Sequence, residues 1–283
     1  MNNKLGIVIL NYNGYIDTIN CVKSINEQKN IDIEVCIVDN ASANNSVQEL
    51  KEFIKNTNFN YDVTLIENST NEGFARGNNV GIKFLREKKC NFVFVLNNDT
   101  LISNEHALER LMRMYTPGIG LINPACEGFN GEFQEPYRLS NGNMRMDFLQ
   151  AIALTCWQFF KGVFNLDYSL HKHSVQKFSP ENYKYIIQGN AYILTPDFFK
   201  NYKQLFPKTF LYFEELYLLW YIQKANLRTV YNEDVIIMHK EAGSARKTTH
   251  KYKMKKAYYM FRSIMLGAEL LFDSKETIQN KYN

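Results

Sequence analysis

No Cys-x-x-Cys pair occurs in the chain. Its five cysteines (Cys21, Cys36, Cys90, Cys126, Cys156) are odd in number and far apart, so neither a disulfide framework nor a zinc knuckle is indicated, and a reducing, cytoplasmic setting is expected. Long apolar runs are missing too. The most apolar stretch, Phe148 to Phe160, covers 13 residues and contains Gln150 and Gln158, whereas a membrane-spanning helix needs roughly 20. The run Leu5 to Leu10 is too short for a signal-peptide core and has no small-residue cleavage site, so secretion is not expected. Neither Gly-x-Gly-x-x-Gly nor a P-loop is present: the turn after the first apolar run reads Asn11-Tyr12-Asn13-Gly14. Any phosphates must be held in another way. Internal repeats and low-complexity linkers are absent.

Acidic residues are missing from one segment. Seven Lys or Arg and no Asp or Glu lie between Arg246 and Arg262, and removing those seven from the net charge of +4 leaves the remainder at −3. The basic character is therefore a C-terminal feature. There Lys and Arg interleave with Tyr, Met, Phe and Leu, a pattern that suits an amphipathic helix on an anionic membrane surface or a helix packed on the core. No recognition module accompanies it, so nucleic acid is not an expected partner.

The first hundred residues alternate two periodicities. Leu5 to Tyr12, Ile33 to Asp39, Val63 to Glu67 and Phe92 to Leu96 read as apolar strands. Helices are expected at Asp17 to Gln28, Ser46 to Lys55 (opened by the capping box Ser46-Val-Gln-Glu49) and Ala75 to Lys89. This βαβαβαβ order implies an α/β fold with a mostly parallel, Rossmann-like sheet covered on both faces. A helix follows near Asn104 to Tyr115, then a loose stretch from Pro117 to about Tyr185. Order returns at Tyr185 to Thr195, in a helix from Thr209 to Lys224 and in a strand or strand pair from Thr229 to His239.

In such sheets ligands bind beyond the carboxyl ends of the strands. Those ends read Asn11-Tyr-Asn-Gly14, Asp39-Asn-Ala-Ser42, Glu67-Asn-Ser-Thr-Asn-Glu-Gly73 and Asn97-Asn-Asp-Thr100. Asp99 could simply cap a helix, yet with Asn97 and Asn98 it also offers the hard oxygens that Mg²⁺ or Mn²⁺ accepts, most other ligands coming from water and substrate phosphate. Gly73, Gly77 and Gly81 share a helix face that suits close packing or ligand approach, and Arg76 among them suits a phosphate. Glu214 and Glu215 sit among aromatic residues that could raise a carboxylate's pKa towards the range of a general base, although both could equally face water. His239 ends an apolar strand, where a structural role competes with metal or diphosphate binding. His171 and His173 give no usable metal spacing.

An ordered set of seven motifs, "VILNYNG", "VCIVDNAS", "NEGFARGNNVGI", "FVLNNDT", "IIQGNAYIL", "FLYFEELYLLWYI" and "VIIMHKEAGSA", resembles inverting glycosyltransferases of family 2 with the GT-A fold. The rhamnosyltransferase-like bacterial enzymes of capsule, O-antigen and exopolysaccharide assembly are the most similar subgroup, over about residues 4 to 245. The resemblance implies that Leu10, Asn11 and Tyr12 line a nucleoside pocket and that Asp39 contacts base or ribose. Asn71, Gly73 and Arg76 would lie near the diphosphate and sugar, and Asn97 and Asn98 towards ribose and phosphate. Asp99 would be the main ligand of Mn²⁺ or Mg²⁺, with His239 beside it.

Glu215 is implied as the general base, with Glu214 next to it and Gln188, Gly189 and Asn190 shaping the sugar and acceptor pockets. The chain departs from the pattern at "FEELY": where many members read Glu-Asp-x-Asp, Glu215 replaces the first Asp and Tyr217 the second. The implied donor is a UDP- or dTDP-linked sugar and the acceptor a saccharide, polyprenyl-linked in this subgroup. The expected organisation is a nucleotide-sugar half (1–102), an acceptor half of the same domain (103–243) and a basic tail (244–283) holding the enzyme on the inner face of the cell membrane; homodimerisation is left open. Two other readings stay open: a sugar-phosphate nucleotidyltransferase, and a non-catalytic nucleotide-sugar-binding subunit.

Overall fold

A computed structural model describes residues 4–134, 138–139, 142–166, 185–187, 189–240 and 249–283. Gln188, His171, His173 and the end of the last motif, residues 241–245, lie outside them. In chain order the elements are β1 (Leu5–Asn11), α1 (Tyr15–Asn26), β2 (Ile33–Asp39), α2 (Ser46–Asn56), β3 (Asp62–Glu67), α3 (Gly73–Glu87), β4 (Phe92–Asn97), β5 (Thr100–Ile102), α4 (Ala107–Arg113) and β6 (Ile119–Gly128). Then come β7 (Phe133–Gln134), β8 (Arg138–Leu139), α5 (Met144–Val163), β9 (Tyr185–Ile186), β10 (Ala191–Leu194), α6 (Pro196–Asn201), α7 (Glu214–Lys224), β11 (Arg228–His239), α8 (His250–Gly267) and α9 (Lys275–Tyr282).

One sheet runs β3-β2-β1-β4-β10-β6-β11-β5, with β7 added on β6. Its first four strands are parallel. Successive residues of each strand enter opposite cores: Val8, Val93 and Val95 pack on one side of the sheet, and Ile7, Ile9, Phe92, Phe94 and Leu96 on the other. Burial on both faces is why β1, β2 and β4 read as continuous apolar runs rather than as alternation, while β3, at the sheet edge, is half-buried. Helix α3 lies close on β1, since a Cβ at Gly77 would stand 2.6 Å from Leu10 and one at Gly81 2.4 Å from Val8. The glycine stripe is thus a packing feature along this part of its length.

Beyond β4 the sheet becomes mixed. β10 is antiparallel to both β4 and β6, β11 is parallel to β6, and β5 crosses to the far edge to pair antiparallel with β11. The stretch expected to be loose holds a ten-residue strand, β6, and the 20-residue helix α5. Pro124 and Glu127 interrupt the strand signal in β6, and α5 is apolar around most of its girth, so neither shows a clean period.

Two local expectations change. The cap of α2 is Asn45 and not the Ser46 box; the Ser46 hydroxyl donates instead to Asn44 Oδ1 at 2.6 Å. Helix α7 starts at Glu214 rather than Thr209. Before it, Tyr212 and Phe213 hold φ of +75° and +69°, a left-handed pair that breaks the helix. The carbonyls upstream serve other elements: Phe210 O accepts from Phe74 N at 2.8 Å, and Leu211 O from the Ser263 hydroxyl of α8 at 2.7 Å.

Candidate active site

The parallel register sets the polar edge. Asn11 stands opposite Asp39, Asp39 opposite Glu67, and Leu10 opposite Asn97, so the four strand ends lie side by side. At the first two ends, buried Asp39 accepts from Ser42 N at 2.9 Å, from the Ser42 hydroxyl at 2.7 Å and from Asn11 Nδ2 at 2.7 Å. Asn11 in turn accepts from the Thr18 hydroxyl at 2.8 Å. A buried carboxylate requires such donors, and here they fix the turn from 39 to 43 beside the exposed Tyr12 ring.

Asn40, to which the sequence reading assigned no role, organises the next layer. Its amide donates to Asn71 Oδ1 at 3.0 Å and to Gly73 O at 3.1 Å; its carbonyl accepts from Asn68 Nδ2 at 3.1 Å and Glu72 N at 3.0 Å. The one available signal was its place directly after a strand end. Gly73, at φ +78°, has the Phe210 carbonyl 2.3 Å from where a Cβ would be, so only glycine suits both the backbone and the space. Arg76 projects from α3 to solvent and pairs with Glu72 at 2.9 Å.

At the fourth end the three polar residues divide. Asn98 turns to the start of α1, donating to Gly14 O at 3.2 Å and to the Thr18 hydroxyl at 3.1 Å. The backbone of Asn97 donates to Asn190 O at 2.8 Å, joining β4 to the loop before β10. Asp99 is carried to β11 by β5: Thr100 pairs with His239, Asp99 O accepts from Lys240 N at 2.8 Å, and Asp99 Oδ1 lies 3.3 Å from His239 Nε2. Two adjacent ligands of an octahedral ion with bonds of about 2.1 Å stand about 3 Å apart, so the pair fits one divalent cation. No group of three or more metal-ligating side chains occurs among the described residues, so an ion held here would need water and phosphate for its other positions.

A cavity of about 400 Å³ opens beside this pair. Asn97, Gly189, Asn190, Glu214, Glu215 and His239 all line it, so six residues named from the sequence meet in one space. The reading missed three lining pairs spaced i, i+4: Asp147 and Ala151, and Leu154 and Gln158, from α5, and Lys256 and Met260 from α8. Glu215 reaches into the room left by Gly189, where a Cβ would stand 2.1 Å from its Oε1.

Burial raises the pKa of Glu215, and burial together with the Glu215 charge raises that of Glu214. Both carboxyls therefore hold protons to higher pH than ordinary glutamates. They are presented by the Tyr212-Phe213 turn, whose left-handed residues cost about 1–3 kcal/mol each. Tyr217 instead faces the protein interior, its hydroxyl donating to Ser263 O at 2.8 Å and its ring lying against Gly267. It is part of the core, not of the cavity wall.

Known proteins share this fold. A mannosyltransferase from Pyrobaculum calidifontis, solved with GDP-Man and Mn²⁺, superposes with a TM-score of 0.61 at 14% identity over 98% of this chain and 67% of that one. TarS of S. aureus (residues 1–349), solved with UDP-GlcNAc, gives 0.60 at 13% identity over 96% and 67%. At these identities the likeness concerns the fold, which is that of GT-A enzymes. An uncharacterised glycosyltransferase of Haemophilus influenzae is 30% identical over 133 residues; the match takes in 46% of this chain and 42% of the relative's length. The model of the family Glycosyl transferase family 2 matches residues 6–165, more than half of the chain and all four parallel strands with their polar ends. The chain is a member of glycosyl transferase family 2.

Proposed function

We propose that the protein transfers a sugar from a nucleoside-diphosphate sugar to a saccharide hydroxyl with inversion, Glu215 acting as base. The observation that carries this reading is the shared cavity, which Glu214, Glu215, Asn97 and His239 all line. The acceptor hydroxyl gives its proton to Glu215 as its oxygen bonds to the anomeric carbon. The bond from that carbon to the diphosphate oxygen breaks on the opposite face, and its electron pair leaves with the nucleoside diphosphate. A single displacement inverts the centre.

Asp99 and His239 would hold Mn²⁺ or Mg²⁺, which supplies positive charge to the departing diphosphate. Tyr12 and the Asn11–Asp39 pair would bound the nucleoside, and Asn71 and Gly73 the diphosphate. Arg76 would have to exchange Glu72 for phosphate, which is accessible because exposed ion pairs are weak. A UDP- or dTDP-linked donor, a polyprenyl-linked acceptor, a role in bacterial surface polysaccharide synthesis and a place on the inner face of the cell membrane complete the proposal. Thermal shift with UDP, dTDP and GDP in Mn²⁺ tests its first step: at least one diphosphate should raise Tm, and no shift with any of them contradicts the proposal.

A further inference from the structure

The sequence reading confined membrane contact to the basic tail, but one face of α8 is consumed by the protein body. Ala257, Met260, Ser263, Ile264 and Gly267 are buried, and Ile264 belongs to the same core as Tyr217 and Trp220. The partner of α8 is α5. A Cβ on Gly162 would stand 2.7 Å from Met254 Sδ, and Lys253 Nζ donates to Asn165 Oδ1 at 3.2 Å, so the end of α5 lies against the beginning of α8. The two helices form an antiparallel layer, and their inner sides, with Leu154, Gln158, Lys256 and Met260, wall the cavity that holds Glu215.

The outer side is apolar. Of the fourteen exposed large apolar side chains among the described residues, eleven lie between Met146 and Leu166 or between Tyr258 and Phe272. Such a concentration differs from the scattered apolar residues of an ordinary surface. Phe160 and Phe164 sit 4.5 Å apart between ring centres, and Trp157 stacks on Phe160 at 5.9 Å. The exposed charges on both helices share one sign: Arg145, Lys251, Lys255 and Arg262, while Asp147, the one acidic residue of the pair, is buried. Arg262 lies over the Tyr258 ring at 5.7 Å. No helix among the described residues is long and apolar enough to cross a membrane.

We propose that α5 and α8 together are a membrane-docking face for an anionic lipid surface, with α5 supplying most of the inserted apolar groups and α8 most of the charge. The charge pattern decides between a bilayer and a second copy: a two-fold contact sets a patch against itself, which would bring the basic groups Lys251, Lys255 and Arg262 of the two copies into one interface with no exposed carboxylate of α5 or α8 to offset them. This inference rests on the transferase reading only for its purpose. A face one helix layer from the cavity would bring a lipid-linked acceptor to Glu215 from the bilayer.

Co-sedimentation of the full chain with vesicles of 60% phosphatidylcholine and 40% phosphatidylglycerol tests it, with pure phosphatidylcholine vesicles as the reference. Binding should be stronger to the anionic vesicles and weaken in high salt. Phe160→Ser with Phe164→Ser should lower affinity about tenfold or more with no change in charge. Lys251→Glu with Lys255→Glu and Arg262→Glu should lower it on the order of a hundredfold or more. Each variant is first shown to melt like the parent. Unchanged vesicle binding in the Phe160/Phe164 variant overturns the proposal, as does a stable dimer that those substitutions dissociate. Vesicle binding by a protein that no nucleoside diphosphate stabilises would leave this face standing and remove the transferase reading.

Discussion

His239 Nε2 lies 3.3 Å from Asp99 Oδ1, although 140 positions separate the two residues. The antiparallel pairing of Thr100 with His239 brings them together, and neither strand alone would reveal it. If this pair holds the cation, Asp99→Asn should abolish the Mn²⁺-dependent part of nucleoside-diphosphate stabilisation while leaving the melting temperature of the free protein near that of the parent. Thermal shift with and without EDTA measures both quantities. An undiminished Mn²⁺ effect in the variant would place the metal elsewhere.

Gly189 is the space into which Glu215 extends. Gly189→Ala puts a methyl group 2.1 Å from the present position of Oε1, so the carboxylate must move. A displacement of about 1 Å can cost on the order of a hundredfold in rate. The expected outcome is a fall in kcat of that order with nucleotide affinity retained, read from steady-state kinetics and from titration with the diphosphate.

The raised pKa values of the two glutamates give two pH trends of opposite sense. A base acts only when deprotonated, so kcat should climb with pH through a pKa above the usual carboxylate range. Stability runs the other way. With the folded-state pKa above the unfolded one, the unfolded chain sheds protons first as pH rises, and stability falls between the unfolded value of about 4.3 and the raised folded one. Glu214→Gln should flatten that fall in urea melts across the window; an unchanged slope would mean that Glu214 is not buried as described.

Much of the fold was legible because β1, β2 and β4 are buried on both faces and the edge strand β3 is half-buried, which leaves continuous apolar runs with polar residues at one end. The same logic pointed to Asp39, Asn97 and His239, each the last residue of its strand, and to Asp99 in the turn directly after β4. It failed where the deciding interaction is distant in sequence. The start of α7 is set by what Phe74 and Ser263 do to the carbonyls of Phe210 and Leu211, and the amphipathic pattern from Thr209 onward contains no trace of either. Asn40 matters through four bonds to residues 68–73, a relation visible only once β2 and β3 are paired. The pattern of α8 showed two faces but not that one wall of the cavity needs the helix.

The central claim is that Glu215 is the base of an inverting transfer, and Glu215→Gln tests it most directly because it keeps the shape of the side chain and removes its proton affinity. With a donor found by the diphosphate screen, the variant should bind donor with unchanged affinity and transfer at less than about a hundredth of the parent rate. Parent-like turnover by the variant would contradict the account.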